Sequence, residues 1–236
     1  MEYKITKEDK DATYVVLPAY NEATRIQPVI EAIAEKGYNM VIVNDGSSDN
    51  TLDVILESKR KYPDRIHIYS LIINRGVGVA TSTGFEAVLK FNPKYIVSMD
   101  SDGQHSADDL DAVIEPLVAG RAEAVIGARP LEDMPKSRNI ANSIMNLLTR
   151  IFYDVDVSDS QTGFRAITID ALNKITINAQ GYLISSEFIR EINDNNIPFE
   201  EVQIQTIYTP ETQAKGTNFK VALKILLQMM KHKLLD

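Results

Sequence analysis

Short apolar runs alternate with amphipathic stretches along the first 130 residues, and this alternation constrains the fold more than any other feature of the sequence. Tyr14–Pro18, Met40–Asn44, Ile66–Leu71, Tyr95–Asp100 and Ala124–Ala128 read as strands. Between them, Ala23–Lys36, Thr51–Tyr62, Val77–Phe91 and Ser106–Ala119 read as helices; in the first, Ile26, Val29, Ile30 and Ile33 recur at helical spacing. Gly37 and Pro63 lie at the ends of the first two, and Ser106 with Asp109 predicts a capping box at the start of the fourth. Strands alternating with helices of this length predict an α/β fold, a Rossmann-like, mostly parallel sheet flanked by helices. The second half is less regular. Asn139–Tyr153 and Ser185–Asp194 predict helices; Phe164–Thr168 and Phe199–Tyr208 predict strands, the last with one wet face.

Composition removes several classes of function. The 236 residues include no cysteine, which excludes a disulfide framework, a thiolate metal site and a cysteine nucleophile. Acidic residues outnumber basic ones, 33 to 25, for a net charge of −8, so no nucleic-acid partner is expected. No apolar run approaches the ~18 residues a bilayer span needs, and the charged N-terminus does not read as a signal peptide. The tail differs from the rest: residues 212–236 hold five lysines and one acid. From Asn218 the pattern is helical, with Lys220, Lys224, Gln228 and Lys231 on one stripe beside a wide apolar arc. The expected organisation is a catalytic domain over residues 1–211 and a basic amphipathic C-terminal helix over 212–236. Through 218–236 that helix would lie on an anionic membrane surface, or else dock on the protein or a partner. The expected location is cytoplasmic and peripheral to the membrane.

In an open parallel sheet, ligands bind beyond the carboxyl ends of the strands. Here those ends carry Pro18-Ala19-Tyr20-Asn21-Glu22, Asn44-Asp45-Gly46-Ser47-Ser48, Asn74-Arg75-Gly76-Val77-Gly78, and Asp100-Ser101-Asp102-Gly103-Gln104-His105. The last is the sharpest signal. Alternate residues of an extended segment point the same way, so Asp100, Asp102 and Gln104 can converge. Two carboxylates and an amide oxygen are hard ligands, suited to Mg²⁺ or Mn²⁺ rather than zinc. A calcium-like surface loop or a helix-capping turn is the alternative, and His105 reads as a loop residue. Asp45 suits a hydrogen bond to a base or ribose, or else an Asx-turn. The glycine-rich Asn74–Ala80 segment matches neither a dinucleotide fingerprint nor a Walker-type phosphate loop.

Taken together and in order, PAYNE, NDGSSDNT, NRGVGVA, DSDGQH, GAR and DSQTGFR resemble the inverting glycosyltransferases of family 2, with the GT-A nucleotide-diphospho-sugar transferase fold. The branch most similar is the polyprenyl-phosphate or dolichyl-phosphate sugar synthases, over about Tyr14–Tyr208. The resemblance implies metal-dependent transfer of a sugar from a nucleoside diphosphate sugar to a polyprenyl phosphate, with inversion. It places Pro18, Tyr20, Glu22, Asp45, Gly78 and Asp100 at the nucleotide, and Asp100, Asp102 and Gln104 at the metal. Arg129, Arg138, Asn142, Arg165 and Lys215 go to the acceptor phosphate, with Asp102, Arg129 and Arg138 carrying catalysis. Asn146, Asp159, Gly163 and Phe164 match the family's spaced asparagine and late acceptor-loop motif, and Glu187 a family acid without a fixed role. Asn142 stands where relatives carry serine, and Lys215 where they carry arginine.

Two other functions remain open on the sequence, and a third is disfavoured by it. An acceptor hydroxyl would need a carboxylate base, for which Glu187 and Asp159 are the candidates. A sugar-nucleotide-binding module would use the same pocket without turnover. A nucleotidyltransferase would want a glycine-rich, basic loop after the first strand, and PAYNEATR is not one. The donor's base and sugar are not legible: GDP-mannose, UDP-glucose and UDP-N-acetylglucosamine all fit.

Overall fold

A computed structural model describes residues 3–130, 134–177 and 183–207. The expected basic helix over 212–236, its boundary with the preceding domain, and Lys215 lie outside the described residues.

Seven strands form one sheet: β1 (Thr13–Ala19), β2 (Asn39–Asp45), β3 (Ile66–Leu71), β4 (Tyr95–Ser98), β5 (Ala124–Ala128), β6 (Arg165–Thr168) and β7 (Phe199–Gln203), in the order β3-β2-β1-β4-β6-β5-β7. The helices are α1 (Lys7–Asp11), α2 (Ile26–Glu35), α3 (Thr51–Lys61), α4 (Val77–Val88), α5 (Leu110–Val118), α6 (Lys136–Tyr153), α7 (Ile169–Leu172) and α8 (Leu183–Asp194). Pairing is parallel from β3 through β4 and between β5 and β7, and β6 runs antiparallel to both its neighbours. The mostly parallel sheet is therefore as expected, but β4 and β5 are not adjacent. β6 separates them, and its reversed direction brings the loop before it to the carboxyl ends of β4 and β5.

Strands buried on both faces need apolar residues in succession, and β1 and β2 supply them. Val15, Leu17, Met40 and Ile42 pack with Ile30 of α2, Ile55 of α3, and Leu110 and Ile114 of α5. Val16, Val41 and Val43 turn the other way, toward Ala80 and Val88 of α4 and Ile189 of α8. α4 sits so close to β1 that a Cβ at Gly84 would overlap Val16 Cγ1.

Boundaries shift by a few residues. Residues 23–25 form a turn and α2 starts at Ile26; β4 stops at Ser98; α6 and α8 begin at Lys136 and Leu183; β7 ends at Gln203. The predicted capping box at Ser106 does not form. Ser106 Oγ accepts from Asp108 N at 3.1 Å, while the Asp109 carboxylate accepts from Gln205 N at 2.8 Å. A distant strand extension has taken the acid that the local motif would have used. α1 was not predicted: it buries no residue and shows no apolar period, and its only signal is the capping box of Thr6 and Asp9.

Candidate active site

The carboxyl ends of β1, β2 and β4 open into a cavity of about 590 Å³, whose far wall is built by α6, the loop before β6 and the start of α8. Of the residues expected at the nucleotide, the metal and the acceptor phosphate, all those within the described chain line it except Gly78; of the further motif matches, Gly163 does, while Asn146, Asp159, Phe164 and Glu187 do not. Gly78 is buried in the first turn of α4, where Gly76 and Val77 face the cavity instead.

Pro18 is the last residue but one of β1, and Tyr20, just past its end, is exposed and offers a flat apolar surface at one end of the cavity. Glu22 is buried and paired with Arg25 at 2.6 Å, and its backbone N–H donates to Thr51 Oγ1 at 2.8 Å, fastening the β1 loop to α3. Asp45 is buried at the end of β2. It accepts from the backbone N–H groups of Arg75 and Gly76 at 2.7 and 2.8 Å, so its carboxylate fixes the entry to α4.

Asp100, Asp102 and Gln104 share the middle of the cavity. Asp102 accepts from Gln104 N at 3.0 Å and from Gln104 Nε2. Asp100 is held from two sides. His105 Nε2 lies 3.2 Å from Asp100 Oδ2, and a Cβ at Gly163 would meet Asp100 Oδ1 at 2.5 Å, a spacing only glycine permits. Burial pushes the Asp100 pKa up, but the hydrogen bond from His105 and the charges of His105, Arg129 and Arg165 outweigh it and hold the carboxyl below its ordinary value. Asp100 is therefore ionised at neutral pH. His105, read from the sequence as a loop residue, is buried instead, edge-on to Phe164 at 5.3 Å and bridged to Thr206. The sequence held one signal for this, the apolar or β-branched residues at Phe164 and Thr206, but nothing placed them beside it.

Cations and amides make the far wall. Arg129, at the end of β5, donates from Nε and Nη2 to the two oxygens of buried Asp159, at 2.6 and 3.0 Å. Arg138 Nη1 donates to Gln104 Oε1 at 2.9 Å. Asn142, one turn along α6, is buried with neither amide atom hydrogen-bonded. Asn146 does not line the cavity; it donates to Ser158 O at 2.6 Å and accepts from Ser160 N at 2.9 Å, shaping the loop that carries Asp159. Arg165 is buried over the Phe188 ring and donates to Ser160 O at 3.0 Å and Ser185 O at 2.9 Å. Burial pulls its pKa down to about 10, so it remains a cation at neutral pH. Glu187 pairs with Arg190 at 3.7 Å and does not line the cavity.

The arrangement places a hard-oxygen cluster between the Tyr20 end of the cavity and a cationic wall. Among the described residues no group of three or more His, Cys, Asp or Glu side chains could hold a metal by itself. A two-carboxylate, one-amide set fits a cation that completes its shell with diphosphate oxygens. Residues 14–176 match the description Glycosyl transferase family 2. The chain belongs to that family. It is 33% identical to the UDP-N-acetylglucosamine–dolichyl-phosphate N-acetylglucosaminyltransferase of Methanococcus voltae, over 94% of this chain and 98% of that protein. It is 27% identical to the polyprenol monophosphomannose synthase of Mycolicibacterium smegmatis, over 89% of this chain and 84% of that protein. Its fold is that of the glucosyl-3-phosphoglycerate synthase of Mycobacterium tuberculosis solved with Mn²⁺, UDP and phosphoglyceric acid, with a TM-score of 0.72 and 16% identity over 96% of this chain and 80% of that one. This family 2 chain is thus a glycosyltransferase of GT-A fold.

Proposed function

We propose that this glycosyltransferase moves a sugar from a nucleoside diphosphate sugar to a polyprenyl phosphate, inverting the anomeric centre, with Mg²⁺ or Mn²⁺ as cofactor. The observation that carries the reading is the far wall: Arg129 and Arg138 beside a buried Asn142 amide that has no hydrogen-bond partner, all facing Asp100–Gln104 across one cavity. A buried amide without a partner is costly unless a ligand satisfies it. The names of the lipid-phosphate transferases among the relatives support the same acceptor class.

In this reading Asp102 and Gln104, with Asp100 supporting them, hold the divalent cation. When bound, it supplies positive charge against the departing diphosphate. Tyr20 and Asp45 border the nucleotide. The acceptor needs no base of its own: a phosphate monoester is mostly dianionic at neutral pH, its second pKa being ~6. Its oxygen attacks C1 as the bond from C1 to the diphosphate oxygen breaks and the electron pair leaves with the nucleoside diphosphate. Arg129, Arg138 and Asn142 orient that phosphate and offset the repulsion between two anions. A hydroxyl acceptor would instead need a carboxylate base. Both Asp159 oxygens are occupied by Arg129, and Glu187 does not reach the cavity.

A membrane-bound acceptor requires contact with a lipid surface. Among the described residues no helix is long and apolar enough to cross a membrane. α6, however, exposes Ile140, Ile144, Leu147 and Ile151 on the face opposite Arg138 and Asn142, and its 136–153 sequence has three cations and no acid. We read this as a peripheral contact with anionic lipid on the cytoplasmic side. The experiment for the donor is a thermal-shift panel of UDP, GDP and their sugars with and without Mn²⁺. The cognate nucleotide raises the unfolding midpoint, more so with Mn²⁺. No shift with any of them would overturn the reading.

A further inference from the structure

Arg138 and Asp102 are joined through one side chain. Arg138 Nη1 donates to Gln104 Oε1 at 2.9 Å, while Gln104 Nε2 donates to Asp102 Oδ2. Gln104 therefore connects the cationic wall to the carboxylates. Its amide has a single acceptor atom, and that oxygen is the one the reading above assigns to a divalent cation. A guanidinium and a divalent cation on the same oxygen would be like charges a few Å apart inside a protein cavity, where repulsion is far stronger than in water. The two therefore compete for that oxygen, and a bound cation weakens its hold on Arg138. Arg138 has a place to go: Asn142, four residues on along the same face of α6, lines the cavity with both amide atoms unsatisfied.

Resting on the lipid-phosphate reading, we propose that Gln104 is a positioning residue that holds Arg138 on the donor side and hands it to the acceptor phosphate when its amide oxygen turns to the donor's cation. Without donor, the Gln104–Arg138 bond keeps the guanidinium from its place beside Asn142. With donor and cation in place, Arg138 is released toward the anion it must steady. Donor and acceptor then bind with positive coupling, and by linkage each strengthens the other equally. The order follows from the chain of hydrogen bonds: the donor side is filled first, and the acceptor meets a wall that is ready for it.

The proposal makes a prediction of unusual sign: removing Arg138 should improve cation binding. Free Mn²⁺ is followed by electron paramagnetic resonance in the presence of whichever nucleoside diphosphate the thermal-shift panel selects. Four proteins are compared: the natural chain, Gln104→Ala, Arg138→Ala and the double variant. Arg138→Gln is run alongside, and unfolding midpoints confirm that each variant is folded. Arg138→Ala is expected to tighten Mn²⁺ about fivefold, and to change it by less than about twofold when Gln104 is already alanine. Equal tightening in both backgrounds would mean simple loss of a nearby positive charge and would overturn the hand-over. So would unchanged or weaker Mn²⁺ binding in Arg138→Ala. If Gln104→Ala alone left Mn²⁺ affinity at its natural value, the assignment of Gln104 to the cation would itself fall, taking the hand-over with it.

Discussion

Individual residues at this site are legible in different degrees. Asp100, Asp102 and Gln104 could be picked out because alternate positions beyond a buried strand point one way, and the fold brings them to one cavity as expected. His105 could not: its burial depends on Phe164 and Thr206, some 60 and 100 residues later in the chain, and no local period reports such a neighbour. Its place suggests what it does. A side chain that orients a metal-side carboxylate typically contributes 10–100-fold to metal affinity or activity. His105→Ala is therefore expected to weaken Mn²⁺ binding by about that factor, read by paramagnetic resonance, with an unfolding transition that stays cooperative. Affinity equal to that of the natural chain would show that His105 only fills space. Gly163→Ala tests the other side of Asp100: its methyl group would lie 2.5 Å from Oδ1 and force the carboxylate to shift, and turnover should fall at least as far.

Elements were easier to read than their contacts. The five leading strands and four helices follow directly from apolar spacing, because β1 and β2 are buried on both faces and α2, α4 and α5 on one. The strand expected over Phe164–Thr168 is β6, but the spacing did not reveal its direction or its place in the sheet. Four residues, Arg165–Thr168, carry too little pattern to show direction, and their antiparallel insertion is set by pairing with β4 and β5. Close approach of α4 to β1 predicts that Gly84→Ala destabilises the protein by roughly 1–3 kcal/mol, since Val16 is a branched, fully buried side chain with little room to yield. Denaturant unfolding measures it. At the end of α5, Arg121 bridges Glu115 and Glu200 and so ties the helix to β7. The hydrogen bond from Arg121 holds the Glu115 pKa at about 2, against an ordinary 4.5. A lowered carboxyl pKa stabilises the folded chain above the unfolded value and loses that contribution as pH falls toward the folded one. Arg121→Ala should therefore lower the unfolding midpoint slightly above about pH 4.5, the pair being partly exposed, and leave it unchanged near pH 2, so that the fall between the two is flatter.

At the scale of the whole molecule, one sheet presents two chemistries at the same end. β1, β2 and β4 deliver the carboxylate-bearing side, where the proposal puts nucleotide and cation; the reversed β6, with α6 and α8, delivers the cationic wall. The outer face of α6 then carries an apolar stripe away from the cavity. Replacing Leu147 and Ile151 by glutamate should lower co-flotation with phosphatidylglycerol vesicles on the order of tenfold or more, while leaving turnover on a short, water-soluble isoprenyl phosphate intact. Unchanged flotation would move the lipid contact elsewhere on the chain. The central proposal, sugar transfer to a lipid phosphate at a carboxylate-held cation, is tested most directly by incubating the natural chain and Asp102→Ala with labelled nucleoside diphosphate sugars, Mn²⁺ and a polyprenyl phosphate. The expected result is a labelled polyprenyl phosphate sugar of inverted anomeric configuration, formed at least about a hundredfold more slowly by the variant. Product formed equally well by Asp102→Ala, or transfer only to hydroxyl acceptors, would contradict it.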